Sequence, residues 1–159
     1  MRRLSLSYWK LSAPDKFAFG LNFILCGVFR FLTLTLPLSR FVRYFGQFHQ
    51  ALRLSTLIPP MQLQRAIKIG RMVKLSSKYT PWESNCLTQA LIAKMWCQYY
   101  KIPHVLYLGF AQSREKNEGL KGHVWLTSGP VNITGGDTCC AFTVVSTYLW
   151  PKQPSIYSY

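Results

Sequence analysis

The order of apolar and polar residues changes period once along this chain, from a helical repeat to an alternating one. The first part predicts an apolar helix over about 14–35, capped by Ser12, and a short basic helix from Leu38. Residues 46–60 predict a connection with partial helix. A further helix, with one apolar stripe and one basic face, is predicted over 61–78. The N-terminal half is therefore predicted to be mainly helical.

The alternating part follows one more helix, predicted from Cys86 to about Tyr100. It contains a charged loop at 112–121 and strands at 105–110, 122–127, 131–134 and 142–149. Helices followed by an antiparallel meander predict an α+β fold, in which the Cys86 helix packs on a small antiparallel sheet. We divide the chain into an N-terminal helical region, 1–60, and a core, 61–159, which together form one compact unit.

Charge changes this picture by indicating the kind of partner. Nineteen lysines and arginines against five acidic residues give a net charge of +14, spread along the whole sequence. Such a surface attracts an acidic peptide or protein, or an anionic membrane. Nucleic acid ranks below both, because no nucleic-acid motif accompanies the charge. A solvated basic surface without a specific partner is the alternative. The 159 residues suffice for one domain, and the 49% apolar content argues against disorder.

Cysteine usage bounds the cofactors and the compartment. The five cysteines have neither a disulfide-framework spacing nor a zinc spacing: Cys26, Cys86, Cys97, Cys139 and Cys140. We therefore expect no metal and no cofactor. The N-terminus shows no cleavable secretory signal, so a reducing cytoplasm is the expected compartment.

The apolar stretch 17–38 is long enough to cross a bilayer and carries one charge, Arg30. A mid-helix arginine costs roughly 2.5–3.5 kcal/mol on insertion scales. Asn22 and Pro37 weaken the spanning interpretation further, and basic residues on both sides give no orientation signal. We therefore expect a buried or bilayer-surface helix, with peripheral membrane contact at most.

The strongest candidate for chemistry is the first turn of the helix that begins at Cys86. Ser84 or Asn85 is expected to cap this helix, and the unpaired amides and positive helix end favour a thiolate there. His123 follows 37 residues later on a predicted strand and is the candidate base. Together they predict acyl chemistry on an amide. The structural alternatives are a small buried thiol at Cys86 and a hydrogen-bonded core histidine at His123.

A third residue is needed to orient the imidazole and hold its tautomer. Asp137 follows the strand expected to pair with the His123 strand and is the best acidic candidate. Asn132, on that pairing strand, is the alternative as an orienting amide. The other histidines are given no role, because His104 is expected in a loop and His49 has no identifiable partner.

Neighbouring residues supply two more expectations. The oxyanion is expected to meet the backbone N–H of Cys86 and one donor from Ser84 or Asn85. Trp125 lies two residues after His123, on the same strand face, and either walls the site or packs in the core.

Several motifs recur in the order of a known family. They are the Asn-Cys-Leu and Gln-Ala-Leu steps at 85–87 and 89–91, the Lys-Ile-Pro helix end at 101–103, the strand at 106–109, the Gly-His-Val-Trp strand at 122–125, and the apolar N-terminal helices over 11–45. Together they resemble the lasso-peptide leader peptidases of the transglutaminase-like superfamily, and the resemblance covers nearly the whole chain.

This resemblance implies a papain-like cysteine protease that removes the leader from a ribosomally made precursor peptide, with Cys86 as nucleophile and His123 as base. It also implies two partners. One is a small leader-recognition protein acting in trans, because the length leaves no room for that domain. The other is an ATP-dependent, asparagine-synthetase-like cyclase that closes the macrolactam in the released core.

The chain departs from the family pattern at two positions. Val124 stands where alanine is common. The family aspartate usually falls about a dozen residues after the histidine, where this chain has Gly135. Asp137 reaches that role only with a small shift of the chain.

Overall fold

A computed structural model describes residues 12–82, 84–112, 119–136 and 139–151. Its helices follow the predicted periodicity closely. They are α1 (Ala13–Thr35), α2 (Leu38–Phe45), α3 (Pro60–Tyr79) and α4 (Cys86–Tyr99). Proline sits in the first turn of α1 and of α3, where its missing N–H costs no helical hydrogen bond. The helical predictions for these segments are confirmed.

Five strands form one antiparallel sheet in the described ranges. They are β1 (Gln47–Gln50), β2 (His104–Gln112), β3 (Leu120–Ser128), β4 (Val131–Thr134) and β5 (Thr143–Trp150), in the order β1-β5-β2-β3-β4. This confirms the α+β fold and corrects two details of it. The predicted connection 46–60 contains a strand, not partial helix. The sheet is not a simple meander, because the last strand pairs with β1 and β2 instead of β4.

The two faces of the sheet carry separate apolar clusters, because side chains alternate along each strand. On the helical face, α3 and α4 pack against the sheet, and α1 packs on α3 and α4. The strand residues in this cluster are Leu106, Leu108, Val124, Leu126 and Tyr148. The other face, which we call the far face, holds a smaller cluster of Val105, Tyr107, Trp125 and Leu149. The segment 51–58 runs across the far face and is tied to it by side-chain hydrogen bonds. A functional side chain on β3 can therefore lie on either of two different surfaces.

His104 was expected in a loop but is the first residue of β2 and is fully buried. Its Nδ1–H donates to the carbonyl of Ile102 at 2.8 Å, and its ring stacks on Trp150 at 5.2 Å. Burial lowers the pKa of His104 to about 4, because water no longer solvates the charged ring. This residue is a neutral part of the core at physiological pH.

Helix α1 packs its inner side on α3 and α4 through three polar contacts. The Trp96 indole N–H donates to Asn22 Oδ1 at 2.7 Å, the Ser76 hydroxyl donates to the Phe19 carbonyl at 3.4 Å, and Lys68 Nζ lies 2.6 Å from Asp15 Oδ1. Within the described ranges, α1 is the single helix long and apolar enough to cross a membrane by length and composition.

The division of the chain at residue 60 stays a prediction.

Lys94 is an unexpected buried charge at the middle of α4, with 5% of its side-chain surface exposed. Among the described residues, Asp15 is the only carboxylate, and it pairs with Lys68. Lys94 therefore has no counter-ion in the described part of the chain. Burial lowers its pKa from the ordinary 10.5 to about 8.

Replacing Lys94 by methionine is expected to stabilise the fold at pH 7 by about 2 kcal/mol. This is less than the full pKa shift implies, because solvent near the end of the side chain screens the charge. A lysine with a depressed pKa destabilises the folded state fully below pH 8. This destabilisation fades as the pH rises from about 8 to 10.5, where only the unfolded chain still holds the proton. Urea unfolding at pH 7 and pH 9 measures it.

The wild-type free energy of unfolding, relative to that of Lys94→Met, should rise between these two pH values. Using this difference cancels the opposite trend above pH 9 from buried Cys97, whose pKa is raised to about 12. Equal stability of the two chains at both pH values would contradict the prediction.

Candidate active site

Cys86 is the first residue of α4, and the loop before it is fixed from two directions. The carboxamide oxygen of Asn85 accepts the N–H of Thr88 at 2.9 Å, which confirms Asn85 as the helix cap. The Gln89 side-chain N–H donates to the carbonyl of Ser84 at 2.8 Å. No acidic residue lies in the first turn of α4. The positive helix end therefore meets no fixed negative charge from its own turn.

The environment of Cys86 differs from that of the two core cysteines. Cys86 is half-buried and packs at the margin of the helical-face cluster, whereas Cys26 and Cys97 are fully buried within it. Burial raises the pKa of the Cys26 thiol and raises that of Cys97 to about 12. These two thiols are structural. All five cysteines are free, and the exposed one is Cys140.

The imidazole of His123 is held by the main chain. Its Nε2 lies 2.8 Å from the carbonyl oxygen of Gly135. Because a carbonyl oxygen only accepts hydrogen bonds, Nε2 carries the proton, and Nδ1 is the basic nitrogen of the neutral ring. This contact does what a third triad member does for orientation and tautomer, without supplying a negative charge.

Aromatic rings fix the plane of the imidazole. His123 stacks on Phe142 with ring centres 4.7 Å apart and on Trp125 at 5.7 Å, both within 30° of parallel. Gly109, paired with His123 across β2 and β3, leaves room for these rings. A Cβ there would lie about 2.9 Å from Trp125 and 3.0 Å from Phe142. Trp125 therefore stacks against His123 and also packs in the far-face cluster.

Gly135 reaches His123 only because it is a glycine. Its φ of +68° lies in the left-handed region. A Cβ at this position would lie 2.8 Å from Trp125 Cβ, 2.8 Å from the Val124 carbonyl and 3.0 Å from His123 Nε2. The chain thus gives His123 Nε2 a backbone carbonyl as its acceptor.

A groove of about 510 Å³ runs between α3, α4 and the edge strand β4. Gln89, on the same face of α4 as Cys86 and one turn later, lines it together with Asn132 and Gly135. Arg71 and Lys74 from α3 line its other side. The groove therefore connects the helix turn of the candidate nucleophile with the carbonyl that holds the candidate base.

Cys86 and His123 approach this region from different surfaces. Cys86 packs with α4 on the helical face, and strand alternation puts the His123 ring on the far face beside Trp125. Their elements meet at the β4 end of the sheet, where α4 packs against both β3 and β4. The direct pairing of the thiol with the imidazole stays a prediction.

Of the two candidates for orienting the His123 imidazole, the structure describes one. Asp137 lies outside the described residues. Asn132 is an exposed residue of β4 that pairs with Thr127 and borders the groove. Its side chain packs so closely on Gly136 that a Cβ there would overlap it. Its role as an orienting amide also stays a prediction.

Sequence reasoning missed the carbonyl of Gly135, because a backbone acceptor has no side-chain signature. The signal that could have marked it is a glycine immediately after a short predicted strand, twelve residues after His123. Phe142 and Gln89 were also missed as neighbours of the site, since their contacts with it depend on packing between distant elements.

Comparison with known families agrees with this architecture. A family model described as the transglutaminase-like superfamily matches residues 32–147. This match covers well over half of the chain, so the chain belongs to the transglutaminase-like superfamily. No curated protein and no solved structure gave a match. Membership in this superfamily supports cysteine peptidase or acyltransferase chemistry.

Proposed function

We propose that this chain is a cysteine peptidase that removes the leader from a ribosomally synthesised lasso-peptide precursor. One observation carries the proposal furthest. The His123 Nε2–H donates to the carbonyl of Gly135, and Gly135 lines a groove that reaches Gln89, one turn after Cys86 on the same face of α4. A fixed tautomer and an accessible thiol at a helix start are what a cysteine nucleophile requires.

In this mechanism Nδ1 of His123 takes the proton of the Cys86 thiol, and the sulfur attacks the carbonyl carbon of the scissile amide. The carbon–nitrogen bond then breaks, and the imidazolium returns its proton to the leaving amine. Water, deprotonated by the same Nδ1, hydrolyses the thioester to a carboxylate and regenerates the thiol. The backbone N–H of Cys86 is the first donor proposed for the oxyanion.

The groove supports a peptide as the substrate. It borders the edge strand β4, and Arg71 and Lys74 on its α3 side suit acidic residues in the bound peptide. The proposed partners are the precursor peptide, a small leader-recognition protein in trans and an asparagine-synthetase-like cyclase. The proposed compartment is the cytoplasm.

The decisive experiment incubates the chain with a precursor peptide, encoded near its gene, and the recognition protein. Hydrolysis is expected to give two free fragments, one of which carries the mass of one added water. A transglutaminase-like transfer would instead give a crosslinked product that loses ammonia or the leaving amine. Mass spectrometry of the products separates these reactions. A crosslink in place of two fragments would assign the same site to acyl transfer and overturn the peptidase.

A further inference from the structure

The outer side of α1 is an unpartnered apolar surface. Large side chains recur there every three to seven residues and stay exposed, with Phe17 at 75%, Phe31 at 66% and Leu34 at 67%. Ile24 and Val28 lie between them on the same side. We call Phe17, Ile24, Val28, Phe31 and Leu34 the outer stripe. It extends for about 25 Å along the helix.

A basic groove of about 830 Å³ borders the C-terminal half of the outer stripe. Leu32, one helical turn after Val28, belongs to its apolar wall. Arg40 and Arg43 from α2 and the buried Lys94 from α4 also line it. No carboxylate among its lining residues offsets these three cations, so the groove carries a net positive charge.

We propose that the outer stripe and the basic groove together bind the surface of an anionic phospholipid bilayer. Helix α1 would lie flat in the interface, with the outer stripe in the acyl region and lipid phosphates in the basic groove. Amphipathic helices with adjoining cations bind bilayers in this way. This proposal is independent of the peptidase activity.

The contacts of α1 favour this occupant over the alternatives. The helix cannot span a bilayer and keep its inner contacts, because Asn22 is buried against Trp96 and Asp15 is paired with Lys68. A second copy of the chain is disfavoured, since it would bring another molecule of net charge +14 against the same surface. A bilayer would bury the outer stripe in its acyl region and pair the cations of the basic groove with lipid phosphates.

Vesicle flotation tests the proposal with two compositions, phosphatidylcholine alone and phosphatidylcholine with one quarter phosphatidylglycerol. The wild-type chain is expected to partition at least tenfold more strongly into the anionic vesicles, and 0.5 M salt should remove most of that preference. Ile24→Gln with Phe31→Gln should weaken binding at least tenfold. Arg40→Gln with Arg43→Gln should weaken anionic binding by about 30-fold, the value for two cations at an anionic surface.

Two matched controls carry the same chemical changes elsewhere. Leu57→Gln with Leu120→Gln removes two exposed apolar residues, and Arg53→Gln with Lys121→Gln removes two exposed charges. Both are expected to bind within threefold of wild type, and every variant should keep the wild-type unfolding temperature.

Three outcomes would overturn the proposal. One is a wild-type chain that floats with neither vesicle. Another is a stripe variant that floats as well as wild type. The third is a wild-type dimer in sedimentation velocity that the stripe variant converts to monomer, which would assign this face to a second copy of the chain.

Discussion

Replacing Cys86 by alanine is expected to abolish precursor cleavage, with kcat/KM falling by about a thousandfold or more. Without the sulfur, no thioester forms, and the remaining donors and binding groove supply only residual catalysis. The fold should survive, because Cys86 is half-buried at the margin of the helical-face cluster and Asn85 still caps α4. Product formation by mass spectrometry and the unfolding temperature measure both effects.

Cys140→Ala is the matched control, since it removes an exposed thiol away from α4 and should leave cleavage unchanged. Alkylation of the native chain with iodoacetamide gives an independent readout. Cys86 and Cys140 should react, whereas Cys26 and Cys97 should not, because they are buried and their pKa values are raised. Cleavage by Cys86→Ala at the wild-type rate would remove this residue as the nucleophile.

The regular elements followed from local patterns. Helix α4 was predictable because Asn85 supplies a cap and 101–103 ends the apolar run with a proline. Strands β2 and β3 were predictable from their β-branched and aromatic residues, since they lie at the centre of the sheet and are buried on both faces. In each case the residues that decide the structure lie within the element or directly beside it in the sequence.

The strand β1 and the strand order were not predictable in this way. β1 is four residues long, and its polar sequence Gln-Phe-His-Gln has no strong strand preference. It forms by pairing with β5, a hundred residues later, where Gln47 faces Leu149. Such edge pairing is decided by tertiary packing, and the turn signals along the chain do not report it.

The candidate site shows the same division. Cys86 and His123 were found because their residue types carry the chemistry. Asp137 and Asn132 carry the acidic and amide side chains expected of a third member. The acceptor that the structure gives to His123 Nε2 is the carbonyl of Gly135, which a glycine presents by adopting a positive φ. A main-chain acceptor is visible only once the backbone path is known.

This contact leads to the second large effect. Gly135→Ala is expected to lower kcat by about 10- to 100-fold, because the new methyl group occupies the space beside His123 Nε2 and shifts the ring or the carbonyl. It should also destabilise the fold by about 2 kcal/mol, since alanine is strained at φ +68° and its Cβ overlaps Trp125 and the Val124 carbonyl. KM should change less than kcat, because the added Cβ lies against Trp125, the Val124 carbonyl and His123 Nε2, and the other residues that line the groove are unchanged.

Gly129→Ala separates strain from positioning. Gly129 also has a positive φ, +54°. The atoms nearest to its added Cβ belong to the flexible Ile58 side chain, and His123 is not among the nearest neighbours. It should lose about 1 kcal/mol of stability and keep kcat. If both variants, assayed well below their unfolding temperatures, kept the wild-type kcat, the Gly135 carbonyl would be a structural contact only. The orientation of His123 would then have to come from another group.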